Sequence, residues 1–154
     1  MAEFRKYLSN DSAGHTEHIM YFSLGVDGEK TADDNANIVF VAPAAGKIVS
    51  VVGAVVENGS DGTNPLTMGF VVKKNTTAVC STDPVISKTA ASDATVDTAV
   101  AGTGITQAVL KTDTTPVCAA GDIITVDFDI TRTASPTTEI TGPAVVIGYK
   151  LDAA

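Results

Sequence analysis

The chain has 154 residues, with 10 Lys and Arg against 18 Asp and Glu, a net charge of −8 and no Trp. That length suits one domain with a real hydrophobic core. The charge argues against nucleic acid and anionic membranes as partners, because both recruit Lys and Arg. Val, Thr, Ala and Gly abound, and no stretch keeps a 3.6-residue apolar period. Short β-branched runs broken by Gly, Pro, Asn and Asp predict an all-β fold. No run reaches membrane-spanning length. The opening MAEFRKYLSND has no apolar h-region, so no secretory signal is expected.

Residues 1–18 are polar and mixed in charge, yet they carry Phe4, Tyr7 and Leu8. A purely solvated tail would lack such residues. The segment is therefore expected to be an arm, spanning roughly 60 Å if extended, ahead of a domain at 19–154. Ile19 to Leu24 is the first expected strand, and Val26 to Asn37 a polar loop.

Ile38 to Glu57, IVFVAPAAGKIVSVVGAVVE, organises the chain. Two β-branched runs flank a corner at Pro43 and Gly46. In the second run, strict alternation puts Ile48, Val52, Ala54 and Val56 on one face and Val49, Val51 and Val55 on the other. A strand with one wet face should alternate apolar and polar residues. Here both faces are apolar, so each needs a cover, either a second sheet or a neighbouring subunit. The corner phrase AAGKIVSV at 44–51 is echoed by AAGDIITV at 119–126.

Further along, Leu66, Met68, Phe70 and Val72 alternate inward in one expected strand. Lys88 to Thr106 is weakly hydrophobic and reads as a surface excursion, with a short strand near Thr95 to Val100. Gln107 to Thr112 is another expected strand. Ile124, Val126, Phe128 and Ile130 alternate against Thr125, Asp127, Asp129 and Thr131, which are expected to face outward. Val145, Ile147, Tyr149 and Leu151 share a face at the end of the chain. About eight strands with uneven loops predict a jelly-roll-like two-sheet β-sandwich. The alternative immunoglobulin-like sandwich lacks its Trp.

Signals for chemistry are weak. His15 and His18 sit three apart, but neither HExxH nor a third ligand accompanies them. Asp33, Asp34 and Asn35 lack calcium-hand spacing and read as a solvated loop. Asp127 and Asp129 are two apart on one strand face, with no polar cleft beside them in the pattern. There is no GxSxG, Walker loop or CxxC. Cys80 and Cys118 are expected to be buried free thiols. No catalytic residue, metal ligand or cofactor is assigned, and an enzyme is not expected.

In overall style, the acidic sandwich behind an aromatic-bearing arm, with FVAPAAGKIVSVVGAV and AAGDIITVDFDIT as its strands, resembles the decoration (cement) proteins of tailed-bacteriophage heads. The resemblance implies a homotrimer on the outer surface of a virion, made in the host cytoplasm and clamping major capsid protein subunits. It places Phe4, Arg5, Tyr7 and Leu8 on the capsid. Val49, Val51, Val55 and Val146 would then lie between copies. The alternative is a fibre head or carbohydrate-binding module, since sandwiches host both jobs. The scarcity of aromatic residues beyond the first 22 positions argues against sugar platforms. A shell-forming subunit would need a longer chain.

Overall fold

The computed structural model describes residues 5–10, 16–26, 29–30, 32–62, 64–87, 94–96 and 104–152, with side chains described except at 5–10, 16–18, 29 and 94–96. In chain order the strands are β1 (Arg5–Asn10), β2 (Thr16–Gly25), β3 (Glu29–Lys30), β4 (Asp34–Val41), β5 (Gly46–Val55), β6 (Thr67–Lys74), β7 (Thr77–Ala78), β8 (Cys80–Thr82), β9 (Val85–Ile86), β10 (Ala94–Val96), β11 (Ile105–Thr106), β12 (Val109–Leu110), β13 (Val117–Cys118), β14 (Ile123–Thr131), β15 (Ile140–Thr141) and β16 (Ala144–Leu151). There is no helix among the described residues. One antiparallel sheet runs β1-β2-β16-β5-β10, with β13 also on β5; the second runs β11-β9-β6-β14-β4, with β7 on β6. Of eight strands in the two sheets, β2, β5, β10 and β16 lie in the first and β4, β6, β9 and β14 in the second, so the chain crosses between sheets at every step of this series except from β6 to β9. The first and last of these, β2 and β16, pair. This is the jelly-roll-like order expected of a doubly wound Greek-key sandwich.

Most residues predicted inward are buried, but Ile130 and Leu151 are only half-buried, and Thr125 and Asp127, predicted outward in β14, are buried as well. Leu66, Met68, Phe70 and Val72 are fully buried, as are Ile124, Val126, Phe128, Val145, Ile147 and Tyr149. The two sheets interlock through aromatic rings. Phe22 of β2 stacks on Phe40 of β4 with centroids 3.8 Å apart and planes at 9°. Tyr149 meets Phe40 edge-on at 5.5 Å and 67°, geometry that aromatic quadrupoles favour. The Tyr149 hydroxyl donates to the Ala44 carbonyl at 2.7 Å, tying the Pro43–Gly46 corner to the core. Burial pushes that phenol up to about 12. Opposite β5, the Phe70 ring occupies the space that a Cβ on Gly53 would need.

The face assignment in β5 needs correction. Gly148 pairs with Ser50 and Tyr149 with Ile48, so Val49 is an extra residue in the ladder. Such a bulge reverses which alternate residues face inward. Ile48 is buried before it, and Val51 and Val55 are buried after it, in the core. Val51 and Val55 are therefore not outer-face residues as expected. Val52 and Ala54 take that role, and Val56 is exposed.

Other expectations shift less. The first strand starts at Thr16 rather than Ile19, and Arg5–Asn10 pair with it along six consecutive positions without a register break. The expected strand at 95–100 is observed as β10, three residues at 94–96, and residues 97–103 lie outside the described set. The strand expected at 107–112 shortens to β12, paired with β8. Cys80 and Cys118 are both free and buried.

Away from the aromatic cluster, Asp61 clamps two loops. One oxygen accepts from the Thr133 amide (3.0 Å), the Thr133 hydroxyl (2.5 Å) and the Ala134 amide (3.0 Å); the other accepts from the Asn64 amide (3.2 Å). These bonds, led by that from the Thr133 hydroxyl, hold its pKa down at about 2. A depressed carboxylate stabilises the fold above its ordinary pKa of 3.8, and that contribution is lost as pH falls through about 2. In acid titrations followed by circular dichroism, Asp61→Asn should lose stability less steeply than wild type between those two values. Gly53→Ala should cost about 1–3 kcal/mol in urea denaturation, because Phe70 must leave its rotamer to admit the methyl group.

Candidate docking surface

The outer side of the first sheet is built from small and apolar residues in register. Across β5, β16 and β2, Ala54 aligns with Ala144 and Gly25, Val52 with Val146 and Ser23, and Ser50 with Gly148 and Tyr21. Val49, Val52, Ala54, Ala144 and Val146 are half-buried in the isolated chain, and Tyr21 is exposed. These three rows contain no charged residue, in a chain of net charge −8. The next row, towards the Pro43 corner, changes character: Lys47, Lys150 and Ile19 align.

Of the residues expected between copies, Val49 and Val146 lie on this outer side, while Val51 and Val55 belong to the core. Val52, Ala54 and Tyr21 were missed. For Val52 and Ala54 the signal was present in the apolar run of β5, but strict alternation across the bulge assigned the wrong half of it.

The arm residues occupy a specific place. Arg5 pairs with Tyr21, Tyr7 with Ile19 and Leu8 with His18, while Phe4 lies outside the described residues. The last β2 residue paired with β16 is Ile19. The β1–β2 ribbon continues past it through Leu8–His18, Ser9–Glu17 and Asn10–Thr16. At about 3.4 Å per residue, this ribbon extends about 10 Å beyond the sheet. His15 is also outside the described residues.

The second sheet presents a different surface. Asp127, expected to face solvent, is 7% exposed. One oxygen accepts the Ala36 amide at 2.7 Å, and the other pairs with the Lys73 ammonium. The Ala36 bond accompanies register shifts in β4 and a left-handed φ of 61° at Ala36. Such irregularity blunts an edge strand. The hydrogen bond that Lys73 donates to Asp127 holds its ammonium above its ordinary pKa. Burial, then the charges of Asp33 and Asp127, raise Asp129. Burial, then Asp129, raise Asp83. Asp33 and Asp34 are also structural: Asp33 accepts the Ile130 amide at 2.8 Å, and Asp34 pairs with Lys30 at 2.8 Å. The Asp33–Ile130 and Ala36–Asp127 bonds tie the 32–37 segment to β14, and the Asp34–Lys30 pair ties it to β3. They explain the carboxylates as cross-links, and no group of three metal-ligating side chains occurs among the described residues.

At the far end of the sandwich, Glu57, Thr137, Thr138, Glu139 and Thr141 line an open groove of about 380 Å³. No aromatic residue is in that lining.

No protein-family model matches the chain. No curated protein matches it. A chain of the cyanophage Pam1 capsid asymmetric unit superposes with a TM-score of 0.49, at 17% identity over 87% of this chain and 84% of its own. A likeness that distant assigns neither a family nor a function.

Proposed function

We propose that this protein is a structural virion component that decorates a phage capsid as a symmetric oligomer, a homotrimer in the resembled family. The observation that carries the reading is the three uncharged rows across β5, β16 and β2 on the outer side of the first sheet, with Val52 and Val146 at their centre. In an acidic chain, that is where a second copy can approach with the least repulsion and the most apolar burial. The arm, with Phe4, Arg5, Tyr7 and Leu8, reaches the major capsid protein. Repetition of weak contacts around a symmetric oligomer then supplies avidity. Nucleic acid, membrane, metal and cofactor have no part in this reading, and neither does catalysis.

The groove lined by Glu57, Glu139 and three threonines favours a second reading, a carbohydrate-binding module. Its carboxylates and hydroxyls match sugar hydroxyls, but it offers no ring on which a sugar could stack. Specific retention on a glycan array would rank this reading first.

Val146→Glu places a charge in the centre of the proposed copy–copy contact, where desolvation penalises it. Sedimentation equilibrium should show the wild-type oligomer replaced by monomer, with the urea midpoint retained. A monomeric wild type at high concentration would sink the oligomer. Deleting residues 1–18 should reduce cosedimentation with capsids built from the major capsid protein of the same genome, while circular dichroism stays β-rich. Undiminished cosedimentation would remove the arm from the capsid contact.

A further inference from the structure

The two AAG corners that echo each other in the sequence meet in space. The Ala42 amide donates to the Asp122 carbonyl at 2.8 Å, and the Gly121 amide to the Ala42 carbonyl at 2.8 Å. Around them the described surface is unusually apolar for its exposure. Val41 and Ile123 pair directly across strands at 53% and 41% exposure, and Val117 is 42% exposed beside Lys47. The corner residues Ala44, Ala45, Ala119 and Ala120 are exposed as well. Nothing in the core requires these side chains to be apolar, because they point away from it.

Charge sets this end apart from the rest of an acidic molecule. Lys47 and Lys150 stand directly opposite each other, an arrangement that costs stability in a sheet. Lys74 donates to the Val117 carbonyl at 2.6 Å. The carboxylate of Asp122 is turned into its own loop, accepting from the Ala119 amide at 2.9 Å and the Asn75 side chain at 3.0 Å. Asp152 stays at the rim, its amide donating to the Ala45 carbonyl. The β1–β2 ribbon overhangs this same end, since Ile19, Lys150 and Lys47 share a row.

We infer that this corner end is the surface that seats on the partner, a protein surface with an apolar centre edged by carboxylates. The inference rests on the decoration reading, under which that surface belongs to the major capsid protein. The apolar corners bury against the centre, the lysine pair meets the carboxylates, and the overhanging ribbon fixes orientation from one side. A second copy meeting this end about a two-fold axis would set the lysine pairs close to each other, which like charge opposes.

The test is cosedimentation of the full-length protein with capsids assembled from the major capsid protein of the same genome. Val117→Glu combined with Ile123→Glu should lower the bound fraction by about tenfold or more and leave the solution mass unchanged. Both positions are exposed, and the urea midpoint verifies folding; Ala120→Glu serves as a second variant at an exposed turn position. Lys47→Glu should weaken binding most at low salt. Wild-type binding by the double variant and by Ala120→Glu overturns the corner end as the seat while the decoration reading stands. A fall in the double variant's solution mass overturns the assigned occupant, because the end then lies between copies. Failure of the wild type to cosediment removes the decoration reading and this inference with it.

Discussion

At Val49 the ladder between β5 and β16 gains one residue, and the outside of the molecule depends on that slip. Before it, Ile48 faces the core; after it, Val51, Gly53 and Val55 do. Without the bulge, Val52 and Ala54 would be driven inward against Phe70, whose ring now fills the space beside Gly53. The bulge therefore matches Gly53, which has no side chain, to the Phe70 ring facing it. It also leaves Val52 beside Val146 on the outer side. Core packing and the candidate interface are two consequences of one register choice.

The aromatic cluster anchors the opposite requirement, that the corner end be rigid. Phe22, Phe40 and Tyr149 come from three strands and both sheets. The Tyr149 hydroxyl satisfies the Ala44 carbonyl inside a corner whose outer residues are bare alanines. Gly46 lies so close to the Tyr149 ring and the Lys150 carbonyl that a Cβ there would collide with both. A corner pinned from within can present apolar side chains outward without collapsing onto them. On the inference that this end seats on a partner, its order in the free chain would lower the cost of binding.

Electrostatics divide the molecule along the same lines. On the second sheet, carboxylates act internally: Asp127 holds Lys73 and the Ala36 amide, Asp33 holds Ile130, and Asp83 and Asp129 share a partly desolvated neighbourhood. The first sheet has an uncharged centre and lysines at its corner end. Two of the edge strands also differ. The β4 edge is irregular in register, whereas β1 pairs regularly along its whole length.

The sequence by itself determined the class of fold, the inward residues of β6, β14 and β16, and the burial of both cysteines. In those strands one alternate set holds the large apolar residues and the other is more polar or smaller, so a period of two favours one solution. It did not determine β5, because both of its alternate sets are apolar and only pairing with β16 decides which is buried. It showed the AAG echo but not that the two corners touch, since residues 42 and 121 are brought together only when β4 and β14 pair. Asp127 read as solvated because the Ala36 amide and Lys73 that cover it are distant in the chain. Local pattern sets which residues can be inside; long-range register decides which of them are, and what remains outside to meet a partner.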